Sequence, residues 1–282
     1  MKRITMNTFS RIAMALITLA FMFPGSACAT GPRVTTALFS PDKDEIHAVD
    51  FPPFVSSDVA EGGVMAEVVR AALERGEVDV VITTHPVQRM VKYYLLQEHA
   101  IAGLGWHFQF SKEQKKDLIM IPIATLSEKY FYYKPTHPNG LKINANSMKG
   151  LRYGAHKGED TTSFEKMGVE VQYGRTITLL KKLKRNELDF ICSPPHTVEW
   201  LLDRYMSEEK DDFASTAGHN KGHEVFYIVF NRKHPKGEDA AGKFKKALND
   251  ISNDGTYGKI VEKHLGKGDS GKLYMRRLET LQ

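Results

Sequence analysis

The chain has 282 residues and two cysteines, with 39 basic against 34 acidic side chains for a formal charge of +5. That length fits one large or two modest domains, two cysteines exclude a disulfide-stapled scaffold, and so small a charge excess gives no ground for a nucleic-acid partner. Setting aside Lys2, Arg3 and Arg11, which precede an apolar run near the start, leaves 36 bases against 34 acids, or +2.

Residues 1–29 are expected to be a cleavable secretory signal. "MKRITMNTFSR" is basic, "IAMALITLAFMF" is apolar, and "PGSACA" ends in the small residues of a cleavage site after Ala29. The apolar run is too short to span a bilayer comfortably. A lipid-modified Cys28 is the rival reading, weakened by Gly25, which stands where a large aliphatic residue is usual. Without Cys28, Cys192 stands alone and no internal disulfide forms. The expected product is a soluble, monomeric periplasmic protein.

From about residue 45 strand and helix patterns alternate. "EIHAV" is β-prone and is stopped by "DFPPF" (Asp50–Phe54), whose prolines have no N–H for a ladder. That turn leaves Phe51 and Phe54 on a stiff loop, as core aromatics or as a ligand platform. "GGVMAEVVRAALERG" places Met65, Val68, Val69 and Ala72 on one helical face. "VDVVITT" is a strand, Pro86 opens a helix through "PVQRMVKYYLLQEH", and "AIAGLG", "DLIMIPI" and "EKYFYYK" are strands. A second alternating set runs from "LRYGA" through "EDTTSFEKM", "VEVQY", "ITLLKKLKRN", "ELDFIC" and "HTVEWLLDRYM". The long strand "EVFYIVFNRK" follows, then helices near Gly237–Ser252 and Thr256–Leu265. This predicts two α/β lobes with largely parallel sheets covered on both faces. "SEEKDD" reads as a solvated helix end, and "KLYMRRLETLQ" as a short docked or frayed helix.

In this order the motifs resemble those of the family 3 extracellular solute-binding proteins, the periplasmic receptors of ABC importers for polar amino acids and related small solutes. The resemblance spans about residues 44–266. It rests on "DFPPF", "GGVMAEVVRAAL", "PVQRM", "SMKGLRYGAHKGEDTTSFEK", "LKRNELDFICSPPHTVEWLL" and "NDGTYGKIVEKHLG". It implies a two-lobe fold, each lobe a mainly parallel sheet flanked by helices, joined by two crossover strands. Lobe 1 would be residues 33–133 plus 224–268, lobe 2 residues 134–223, and 269–282 a C-terminal tail. It implies a binding protein without cofactor or metal that hands a small solute to an inner-membrane ABC permease.

Ligands bind beyond the carboxyl ends of sheet strands and in clefts between domains. The candidate ligand residues are Phe51, Phe54, Arg89, Trp106, Thr161, Thr162 and Ser193. Arg89 offers a fork for a carboxylate or phosphate, or a structural salt bridge. Trp106 offers a stacking face or ordinary packing. Thr161 and Thr162 sit at a helix start whose N–H groups favour an anion or are simply capped. Ser193 and His196 flank a loop fixed by Pro194 and Pro195, with His196 more readily structural. The resemblance also shows departures. Gln114 stands where amino-acid receptors carry an Arg for the α-carboxylate, and "CSPPH" has no acid for the α-ammonium. The expected solute is therefore small and polar or anionic, with no obligatory ammonium.

His219 and His223 in "HNKGH" are four apart, but Gly222 argues against the helix that would make this a metal pair. Two other functions stay open at this point. One is a dehydratase-like enzyme on the same fold, for which Glu159 and Asp160 are the cleft acids. The other is a ligand-sensing partner of a membrane receptor.

Overall fold

The computed structural model describes residues 44–86, 89–95, 100–216 and 223–267. The expected signal, residues 219–222 of "HNKGH" and the C-terminal tail lie outside the described residues.

The first sheet begins with β1 (Asp44–Val49), followed by α1 (Val64–Arg75), β2 (Val80–His85), β3 (Ala102–Trp106) and β4 (Leu118–Ser127). The second contains β5 (Lys129–Tyr133), β6 (Arg152–Ala155), α2 (Thr162–Lys166), β7 (Glu170–Tyr173), α3 (Thr176–Lys184), β8 (Phe190–Ser193), α4 (Pro195–Tyr205) and β9 (Phe213–Thr216). The chain then returns to the first sheet as β10 (His223–Asn231) and ends in α5 (Gly237–Asn253) and α6 (Thr256–Leu265).

The strand orders are β2-β1-β3-β10-β4 and β7-β6-β8-β5-β9. In each sheet four strands run the same way and one, β10 or β5, runs against them, so the largely parallel sheets expected from the sequence are each mixed by a single strand. Each opposed strand is the one by which the chain enters that sheet from the other. β5, which the sequence reading put in lobe 1, hydrogen-bonds β8 and β9, so the sheet boundary falls at Glu128.

The chain winds outward from β1 to β2 and then back across β1 to β3. Right-handed crossovers therefore put α1 and the β2–β3 connection on opposite faces. α1 packs with α5 and α6, while the β2–β3 connection lies over β1 and β3. That connection was expected to be an ordinary helix; residues Met90–Leu95 form a wider π-type turn. Met90 and Val91 of that turn are buried. The second sheet repeats the winding and has a core on each face. Phe164 of α2 joins Tyr130, Tyr153, Phe190 and Cys192 on one side. The leucines of α3 and α4 join Phe131 and Ile191 on the other.

The "DFPPF" turn closes on itself through Phe51 N–H to the Val55 carbonyl (2.6 Å) and Val55 N–H to the Phe51 carbonyl (2.9 Å). Its carbonyls also cap the next helix: Pro53 accepts from Val64 N–H (3.3 Å) and Phe54 from Met65 N–H (2.8 Å). Two of the amides that a helix start leaves unpaired are thereby satisfied. Gly63 makes this possible, with φ +95° and a position where a Cβ would sit 2.6 Å from the Phe54 carbonyl oxygen.

Candidate functional site

The parallel strands of the first sheet end at Val49, His85 and Trp106, and those of the second at Ala155, Tyr173 and Ser193. β4 and β5 run from one edge to the other with only Glu128 between them. The two carboxyl edges therefore face each other. The two edges come close: a Cβ on Gly158 would lie 3.8 Å from Phe108 Cδ2, and Arg204 reaches to 4.0 Å from Asp58.

The first edge carries a chain of rings. Phe51 meets Trp106 edge-on at 4.7 Å and stacks on Phe54 at 5.5 Å. Trp106 lies parallel to Phe108 at 5.9 Å and edge-on to Phe226 at 5.1 Å. Phe54 is 0% exposed and Phe51 9%, so Phe54 backs the platform from the core while Phe51 borders the gap. The backbone of Trp106 is fixed by its own turn, its main-chain N–H donating to Gln109 Oε1 at 3.2 Å. Gly105 leaves room for that reach, since a Cβ there would lie 2.2 Å from the same oxygen.

Arg89 is exposed, and its N–H bonds the Pro86 carbonyl at 2.9 Å. Beside it runs a hydrogen-bonded row across β1 and β2. Glu45 Oε2 lies 2.9 Å from His47 Nε2, His47 Nδ1 2.9 Å from Thr83 Oγ1, and Thr83 Oγ1 3.1 Å from His85 Nε2. Burial, with the Arg89 cation, holds His85 below the usual imidazole range and favours its neutral form. The sequence did not show this row, because it depends on the register that sets His47 beside Thr83.

On the second edge Thr161 is buried, its hydroxyl donating to Glu165 Oε1 (2.8 Å) and lying 2.8 Å from the Tyr173 hydroxyl. Thr162 is exposed, and its N–H donates to Asp160 Oδ1 at 3.0 Å. Asp160 thus serves the start of a five-residue helix, too short for much dipole. Glu159 accepts the Tyr153 hydroxyl and, at 3.1 Å, the His156 N–H. Burial and the neighbouring Glu159, Cys192 and Glu128 push Tyr153 well above the usual phenol range, so it stays a donor. Ser193 is 0% exposed. Gln114, at the expected arginine position, closes a local turn: its side chain accepts the Ser111 N–H at 2.8 Å.

Structure therefore brings Phe51, Phe54 and Trp106 into contact, with Arg89 on one side along the same edge. Ser193, Thr161 and Thr162 lie on the opposing sheet. Phe108, which the sequence did not single out, completes the ring row and faces Gly158 of the other lobe.

No protein-family model matches the chain, and no curated protein matches it in sequence. Solved structures do resemble it. The GluR0 ligand-binding core from Nostoc punctiforme, in complex with L-glutamate, aligns with TM-score 0.60 and 14% identity over 79% of this chain and 99% of that one. ArtJ of Geobacillus stearothermophilus, an arginine-, lysine-, histidine-binding protein, aligns with TM-score 0.62 and 16% identity over 80% and 96%. AbpA of Streptococcus pneumoniae, an amino acid ABC transporter substrate-binding protein bound to L-arginine, aligns with TM-score 0.60 and 15% identity over 82% and 95%. The chain has the two-lobe fold of the periplasmic binding proteins. Among the described residues no helix is long and apolar enough to cross a membrane.

Proposed function

We propose that this chain is a solute-binding protein that closes its two lobes on a small solute and presents it to an ABC importer in the inner membrane. The carrying observation is the pair of facing carboxyl edges, joined through Glu128, with a ring platform on one of them. In this reading residues 1–29 are a cleaved export signal and the mature protein works in the periplasm. Residues 44–127 with 223–267 form one lobe and 129–216 the other. Phe51 and Trp106 cover the apolar body of the solute, with Phe54 behind them. Arg89 and Ser193 meet its polar ends, and Thr161 and Thr162 lie at the rim.

The solute is of amino-acid size, in keeping with what GluR0, ArtJ and AbpA bind. Gln114 is committed to its own turn, so the α-carboxylate grip of ordinary amino-acid receptors is missing here. The proposal is tested by a thermal-shift screen of the purified protein against L-amino acids and small mono- and dicarboxylates. A solute at one hundred times its Kd adds about 2.7 kcal/mol of stability. A shift with one class and none with turnover supports binding; chemical conversion of the bound solute would replace this reading with catalysis.

A further inference from the structure

Five buried side-chain polar atoms lack a hydrogen-bond partner among the described residues: Thr125 Oγ1, His137 Nε2, Ser193 Oγ, His196 Nε2 and Thr197 Oγ1. Three of them fall within residues 193–197, at the end of β8 and the first turn of α4. Ser193 is 0% and Thr197 1% exposed. A buried hydroxyl without a partner calls for a specific explanation, and here the explanation has a shape.

Ser193 ends β8, Pro194 caps α4 and Pro195 opens it. Neither proline has an N–H, so the first amide of the turn is that of His196. α4 is 11 residues long, enough to give its start a positive field. His196 Nδ1 lies 3.7 Å from Glu199 Oε2, which leaves Nε2 as the nitrogen enclosed in the turn.

A cation lies alongside. Lys129 pairs with Ser193 across β5 and β8, so the two side chains leave the sheet on the same face. Two residues further along, the pair Phe131 and Ile191 lies in the core beneath α3 and α4, which identifies that face as the α4 side. Lys129 is exposed and joins no ion pair among the described residues.

The nearby acids do not oppose this. Glu128 accepts the Cys192 thiol at 3.5 Å, and Glu159 is bonded to Tyr153. Cys192 and Tyr153 belong to the core on the other face of β8, as strand alternation requires. Glu199 is 59% exposed in its side chain and solvated.

We propose that the first turn of α4 is an oxyanion subsite, taking a carboxylate or phosphate group of the solute on Ser193 Oγ, Thr197 Oγ1 and the His196 amide, with Lys129 as the flanking cation. This rests on the reading of the gap as a solute cleft, and it orients the solute with an anionic end toward the second lobe. An ammonium group is not received there.

Calorimetry on the purified protein tests it. Inorganic phosphate, succinate and L-glutamate serve as oxyanion probes; spermidine and L-argininamide serve as amine probes without a carboxylate. At least one oxyanion probe binds the wild type. Ser193→Ala with Thr197→Val weakens that binding at least tenfold, while the ligand-free melting temperature holds or rises because unpartnered hydroxyls have been removed. Lys129→Gln, at an exposed position, weakens it several-fold and flattens its salt dependence, and it decides the matter should the double variant not fold. A lower melting temperature with unchanged affinity makes the hydroxyls structural and overturns the subsite, as does unchanged affinity in Lys129→Gln. Binding of amine probes alone overturns the subsite and leaves the cleft reading standing. Binding of no probe of either class overturns both.

Discussion

Arg152 and Asp189 show how much one residue pair can carry in the second lobe. Arg152 Nε and an Nη hold the two Asp189 oxygens at 2.9 and 2.8 Å, and the Arg152 N–H donates to Asp189 at 2.7 Å. Burial pushes the Asp189 carboxyl up, but the Arg152 bonds outweigh it and the carboxyl titrates below its usual range. Asp189→Asn leaves the guanidinium with half its partners, so the lobe should lose about 3 kcal/mol, seen as a lower urea midpoint. A variant within about 0.5 kcal/mol of wild type would show the pair to be dispensable. Arg89 presents the opposite case, since it is exposed and outside the core. Arg89→Ala should fold normally yet weaken solute binding by about 1.5–3 kcal/mol, the range of a hydrogen bond to a charged group. Calorimetry showing equal affinity would remove Arg89 from the site.

Among the elements, α6 is held to α1 by charge as well as by packing. Lys263 Nζ lies 2.9 Å and His264 Nε2 2.6 Å from the Glu67 carboxylate. Burial alone would push Glu67 up, but the bonds from His264 and Lys263 together bring it below its ordinary value of 4.5. Because the folded value is depressed, the contribution is complete above about pH 4.5 and is lost as pH falls through the folded value. Glu67→Gln should therefore flatten the fall in stability between pH 6 and pH 3, by about 1 kcal/mol for so small a cluster. Parallel denaturation curves for both proteins across that range would refute the linkage. The same elements show what could be read from sequence. α1, α5 and α6 follow from apolar residues at helical spacing and from the Asx/Gly turn at Asp254–Gly255, because those signals are local. β9 went unseen, since "FAST" is four residues long and becomes a strand only by pairing with β5. The stiff turn that holds the rings of "DFPPF" was legible, but the capping of α1 by that turn was not. The His47–Thr83 and Lys129–Ser193 pairings were equally hidden, because register between distant segments leaves no mark in either one.

At the scale of the whole molecule, the lobes approach each other at Phe108 and Gly158 and come within 4.0 Å at Asp58 and Arg204. In the proposed function these approaches belong to a closed arrangement and part to admit the solute, a hinge movement between the lobes. Small-angle scattering should give a larger radius of gyration without solute than with it. Asp58→Arg, which sets like charges across the rim, should favour the open form and weaken binding, though by no more than about 1 kcal/mol for an exposed pair. Adding Arg204→Asp should restore it. Superimposable scattering curves with and without a demonstrably bound solute would rule out closure.

The position of β10 sets an order of assembly. It lies between β3 and β4, and β4 has no other strand partner among the described residues. A nascent or translocating chain that has delivered only residues 44–127 therefore has one strand without a neighbour and β3 with an open edge, awaiting a segment almost one hundred residues later. Such long-range closure is slow, and open edges invite aggregation meanwhile. The second sheet has no such debt, since all its strands lie within residues 129–216. A fragment of residues 128–217 should show a cooperative thermal transition by itself, whereas residues 44–127 alone should not. Cooperative folding of the latter would mean that β4 finds another partner, and that the first lobe need not wait for the end of the chain.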